Sequence, residues 1–133
     1  MKTLSYFILS IGLFAFSCTE EVSSNEPCIT GKIVGQKCDV FALQLDRKLL
    51  GATDWEKQDP MTSEIVATYP NVIGLIDLPQ EFRVEGKVLF VTLREPTAKE
   101  RQISCYANMP GPPAPYYVVL AASETKCTET NNQ

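Results

Sequence analysis

The chain has no histidine among its 133 residues, and this absence excludes more chemistry than any motif adds. It removes Ser-His and Cys-His activation of a nucleophile, the commonest general base at neutral pH, and every histidine-ligated metal centre. No Cys-x-x-Cys pair is present, so the usual zinc-ligand spacing is missing as well. Nor is there a glycine-rich phosphate loop or a Gly-x-Ser-x-Gly elbow. Tryptophan occurs once, as Trp55. Basic residues are in deficit: 12 Lys and Arg face 16 Asp and Glu, for a formal net charge of -4. A nucleic-acid partner would require a basic stripe with interleaved aromatics, and this chain would instead repel a phosphate backbone. These exclusions predict a protein that is not an enzyme, holds no cofactor or metal, and binds no nucleic acid.

Carboxylates are the one chemically versatile group in supply. Asp54, Glu56, Asp59 and Glu64 share a polar insert running from Asp54 to Thr68. Two of them could in principle do glycosidase-type acid/base work or ligate calcium. Their spacing matches no calcium loop, so the insert is read as a solvated loop, with Pro60 limiting any helix to a turn or two.

Cysteine is plentiful for so short a chain. Cys18 stands apart, while Cys28, Cys38, Cys105 and Cys127 form an even set. Such a set, in a chain small enough to need crosslinks, predicts two disulfides in an oxidising compartment, with three connectivities open.

Cys18 belongs to a different pattern: Lys2, an apolar run from Leu4 to Phe16, then Ala15-Phe16-Ser17-Cys18. As a helix that run reaches roughly 20 Å, short of the roughly 30 Å of a bilayer core, which suits a cleaved export signal better than a span. The segment resembles a bacterial lipoprotein signal. Two positions differ from the usual lipobox, where Ala15 and Phe16 stand in place of a leucine and a small residue. The resemblance implies removal of residues 1–17, a lipid on Cys18, and a polar tether over residues 18–27. The start Cys18-Thr19-Glu20-Glu21 is similar to acidic surface-export signals of outer-membrane lipoproteins. That predicts an outer-membrane lipoprotein exposed at the cell surface, the alternative being a periplasm-facing one. Two or three acyl chains would hold the membrane durably where one would not.

Between Cys28 and Cys127, short β-branched and apolar runs alternate with glycine and proline. Strands are expected over Ile29 to Gln36, Val40 to Asp46, Asn71 to Leu78, Gly86 to Arg94 and Tyr116 to Ser123. Phe41, Leu43 and Leu45 would share one face, as would Leu89, Val91 and Leu93, which is the period-two signature of half-buried strands. Residues 128–133 read as a disordered polar tail. The expected fold is all-β: a small five-stranded Greek-key barrel that loosely resembles the OB-fold, with a β-sandwich as the alternative. If the first and fourth strands of such a barrel are antiparallel neighbours, Cys28 would meet Cys105 and Cys38 would meet Cys127. The other two connectivities stay open.

Three aromatics are the candidate binding residues. Trp55, alone in the polar insert, is either a contact face for a protein or a sugar, or a lid folded back over one end of the barrel. Asn108 to Pro115, with spacing compatible with polyproline II, leads into Tyr116 and Tyr117 as a stiff connector or a recognition loop. The predicted function is a membrane-anchored, non-catalytic binding module for a glycan or protein partner. The alternative is a structural or inhibitory accessory of the cell envelope.

Overall fold

The computed structural model describes residues 28–105 and 111–127; the proposed signal, Cys18 and the tether lie outside the described residues. Among the described residues there are six strands: β1 (Cys28–Lys37), β2 (Val40–Leu45), β3 (Thr53–Gln58), β4 (Ile65–Ile76), β5 (Val88–Arg94) and β6 (Tyr116–Ser123). A 3-10 turn, η1 (Gln80–Phe82), precedes β5. The expected all-β class holds, with one strand more than the sequence suggested.

All six strands belong to one mixed sheet ordered β2-β1-β5-β6-β4-β3, and a further pairing of β2 with β4 closes five of them into a ring. A single closed sheet replaces the two separate sheets of the sandwich alternative. Every pairing in the ring is antiparallel except β4 with β6.

The interior is filled by the alternate residues that the period-two pattern marked. Phe41, Leu43 and Leu45 of β2 meet Leu89, Val91 and Leu93 of β5, with Ile33, Ile73 and Leu75 between them. Burying each such side chain contributes roughly 1.5–3 kcal/mol. One close approach requires glycine. A Cβ on Gly74 would lie 2.2 Å from the Pro113 carbonyl oxygen and 2.7 Å from Val40. The missing side chain lets Gly74 donate its N–H to the Pro115 oxygen at 2.8 Å, docking the segment before β6 onto β4.

The acidic insert departs from expectation. Instead of a loop with a helical turn, Thr53–Gln58 forms β3, paired antiparallel with the first half of β4, which starts at Ile65 and not at Asn71. Asp54 and Glu56 point to solvent while Trp55 between them is buried, so the charges mark the outward side of a strand. Pro60 sits in the hairpin turn. Asn71, at φ 57°, adopts the left-handed conformation where β4 passes from the hairpin into the ring.

Both disulfides are present, but the expected pairing is overturned. Cys28 joins Cys127 and Cys38 joins Cys105, with Cα separations of 5.7 and 5.4 Å. Register is the reason. Val88 at the start of β5 faces Lys32, so β1 runs on well past β5 before it reaches Cys38. Strand β6 ends at Ser123 opposite Phe90, which itself faces Thr30, two residues along β1 from Cys28, and a bend over residues 124–126 brings Cys127 back to Cys28. At its other end β6 starts alongside Gly74 and Leu75, which face Ala42 and Phe41 of β2. The connection from β5 to β6 therefore finishes near the turn from β1 to β2, where Cys105 meets Cys38.

Candidate functional site

The three candidate aromatics are not brought together as one exposed platform. Trp55 is 8% exposed and packs with Val34, Ala42 and Val72, with Tyr69 beside them. Its ring lies 6.4 Å from that of Tyr69 at an interplanar angle of 20°. Those partners alternate with the interior residues of β1, β2 and β4, so the cluster lies on the outer face of the ring. Trp55 thus folds back, though over the ring's side wall and not over its end.

Gly35 makes room for the indole. A Cβ there would come 2.7 Å from the Trp55 ring. Two polar contacts extend the clamp along the hairpin: the Lys37 ammonium donates to Gln58 Oε1 at 3.3 Å, and Lys57 pairs with Glu85 beyond the 3-10 turn. Burial holds the Lys37 pKa below its ordinary value. The β3–β4 hairpin is therefore a strap laid over β1 and β2, which explains why β2 is buried on both faces. Between the strap and the end of β1 opens a cleft of about 290 Å³, lined by Gln36, Trp55, Lys57, Pro60 and Glu85 among others.

Tyr117 faces the other way, against the interior cluster, and its hydroxyl donates to the Leu50 carbonyl at 2.8 Å. Burial raises its pKa, with Glu95 adding to the effect and Arg101 opposing it. Tyr116 is half-buried beside Gly74, and burial raises its pKa too. Both tyrosines act as fasteners for the connector that precedes β6. Thr53 Oγ1 donates to the Ala114 oxygen at 2.8 Å, so the base of the strap and this connector are tied to each other. Of the proline-rich stretch, Asn108 to Pro110 lies outside the described residues.

The carboxylates of the insert do not converge. Asp59 accepts from the N–H groups of Met61 and Thr62 at 2.8 and 3.0 Å, and these bonds lower its pKa. It is a turn-forming residue. Among the described residues no group of three or more Cys, Asp or Glu is placed to hold a metal ion. A Ser-x-x-Lys spacing does occur at Ser123 to Lys126. It falls on a turn after β6, where Ser123 Oγ accepts from Thr125 N at 3.2 Å and Lys126 is exposed. That spacing would face serine and lysine together on a helix, not here.

One carboxylate is strongly perturbed, and it braces the long connection after β5. Glu100 accepts two hydrogen bonds from the Arg94 guanidinium, at 2.9 and 2.8 Å, and one from Thr97 N at 3.1 Å. The Arg94 hydrogen bonds chiefly, then those from Thr97, hold its pKa at about 2 against an ordinary 4.5. Because the folded value is the lower one, the stabilisation is complete above the unfolded value and is lost as pH falls through about 2. Carboxyl NMR titration should show Glu100 inflecting near 2, and Arg94→Met should move it up toward 4.5. An inflection already near 4.5 in the unaltered protein would remove the brace.

No family model matches the chain, and no curated protein sequence matches it significantly.

Proposed function

We propose that this chain is an exported lipoprotein, anchored in the outer membrane through lipid on Cys18 and exposed at the cell surface. Its folded part acts by contact, as a non-catalytic binding module for a glycan or protein partner. The closed order of β1, β2, β4, β6 and β5 supports reading that part as a small Greek-key barrel of the OB-like type, with β3 as an added strand. Two disulfides suit an oxidising compartment outside the cytoplasm. The observation that carries the functional reading is the strap. Trp55, Lys37 and Lys57 fix a hairpin across the ring wall, and its turn is left in solvent. Rigid presentation of a loop is what recognition by contact requires, since little ordering entropy is then lost on binding.

Cys18 supplies the test of the anchor. Metabolic labelling with a fatty-acid analogue should mark the unaltered protein, and intact mass should place the mature N-terminus at lipidated Cys18. Cys18→Ala should abolish labelling and shift the protein from the membrane fraction to soluble or unprocessed material. A mature form without lipid would overturn the anchored reading. Saturable binding of an envelope glycan or protein that leaves the ligand chemically unchanged would support the module, and turnover of that ligand would overturn it.

A further inference from the structure

A cleft of about 620 Å³ opens where the β1–β2 turn, the end of β4, the segment after η1 and the β5–β6 connection meet. Arg83 lines it and is held in two ways. Its Nε donates to the Leu78 carbonyl at 2.7 Å, and its guanidinium lies over the Phe41 ring, 5.5 Å from the centroid. Among the described residues no carboxylate pairs with Arg83, and its Nη1 and Nη2 donate to nothing. A guanidinium fastened at Nε with both Nη groups open is set for bidentate capture of a carboxylate. Much of the side-chain ordering that capture costs has already been met by the fold.

Asp39 and Asp77 line the same cleft, and no further charged side chain does. They stand two residues beyond the Phe41–Leu75 pair, one ahead of β2 and one past the end of β4. Neither carboxylate has an ion pair or a hydrogen-bond partner among the described residues. A carboxylate ligand alone would suit Arg83 but be repelled by both aspartates. A ligand that brings an ammonium group together with its carboxylate meets both demands. Gln102 and Ser104 add an amide and a hydroxyl for the rest of such a ligand. The Cys38–Cys105 disulfide ties the turn that carries Asp39 to the connection that carries Ser104, so these two walls are set before a ligand arrives.

From the fastened guanidinium, the two unpaired carboxylates and the cleft they share, we infer a binding site for a short peptide with a free ammonium group and a free carboxylate. Its carboxylate takes the Nη groups of Arg83, and its ammonium sits with Asp39 and Asp77. An ethanolamine phosphate headgroup carries the same pair of charges. The cleft, however, adjoins the far end of β1 from Cys28, where the tether from Cys18 enters, and that strand of 10 residues spans roughly 30 Å. On the anchored reading, a peptide in solution therefore reaches the cleft where a lipid headgroup does not. The site shares no residue with the strap, so it stands or falls apart from the contact role proposed there.

The test titrates the full chain, nitrogen-15 labelled and kept in a nonionic detergent, with dialanine, N-acetyl-dialanine, dialanine amide and glycerophosphoethanolamine. Dialanine should shift the amide resonances of Asp39, Phe41, Asp77 and Ser104 saturably. The acetylated and amidated forms, each lacking one charge, should bind at least about tenfold more weakly. Asp77→Asn and Arg83→Lys should each weaken dialanine about tenfold while the rest of the spectrum stays that of the folded protein, since a lysine keeps the charge but not the fork. Blocked peptides that bind as well as dialanine, or no saturable shift with dialanine, would overturn the site. Tighter binding of glycerophosphoethanolamine would overturn the peptide assignment. An Arg83→Lys variant that binds as the unaltered protein does would remove the role given to the fork. None of these results touches the strap, whose contact role is tested by its own ligand-binding experiment.

Discussion

Trp55→Ala is expected to lower stability by about 3–5 kcal/mol, the range for truncating a buried large aromatic. The ring is only 8% exposed, and Val34, Ala42 and Val72 touch it from three strands of the ring. Removing it strips the outer face of β1 and β2 of its cover. Gly35, which carries no side chain because the indole occupies that space, cannot refill the gap. Against a typical total of about 5–15 kcal/mol for a domain, the loss would leave much of the population close to unfolding. Since Trp55 is the only tryptophan, its fluorescence reports its own environment. Emission should be that of a shielded indole in the native protein and move to longer wavelength at the unfolding midpoint. Urea denaturation of the variant, followed by circular dichroism, gives the energy. A loss below about 1 kcal/mol would mean that the hairpin is held by its polar contacts and not by the ring.

The second large effect is expected at Cys28 and Cys127. Removing a native disulfide from a small exported domain costs about 2–5 kcal/mol. This crosslink spans a sequence separation of 99, against 67 for Cys38 and Cys105. Loop closure depends only logarithmically on length, so the two differ by about 0.3 kcal/mol on that ground alone. Paired Cys→Ser replacements should therefore destabilise almost equally. A much larger cost for Cys38 and Cys105 would show that their crosslink also holds native contacts between the β5–β6 connection and the β1–β2 turn. Non-reducing peptide mapping checks the pairing directly. Recovery of Cys28 joined to Cys105 would contradict the strand register that brings Cys28 and Cys127 together.

A lone tryptophan amid acidic residues looks like a recognition anchor, yet here its ring is buried and fastens the strap.

Much of this protein follows from local pattern. Alternation along Phe41, Leu43 and Leu45 and along Leu89, Val91 and Leu93 marks inward faces, because a strand turns successive side chains to opposite sides. The even set of cysteines implies two crosslinks, and the absence of histidine narrows the chemistry, since both depend on residue type and not on arrangement. Strand β3 was present in the sequence as well, with Trp55 between outward-facing Asp54 and Glu56, but its charge resembled that of a loop. What only the tertiary structure decided is everything set by register between distant strands. Local pattern does not encode that Val88 faces Lys32, so it does not determine which cysteines meet. It does not encode that Gly35 lies beneath an indole from another strand, so it does not determine whether Trp55 is offered or buried. Those outcomes depend on how the ring closes, and closure is fixed by all of its side chains packing at once.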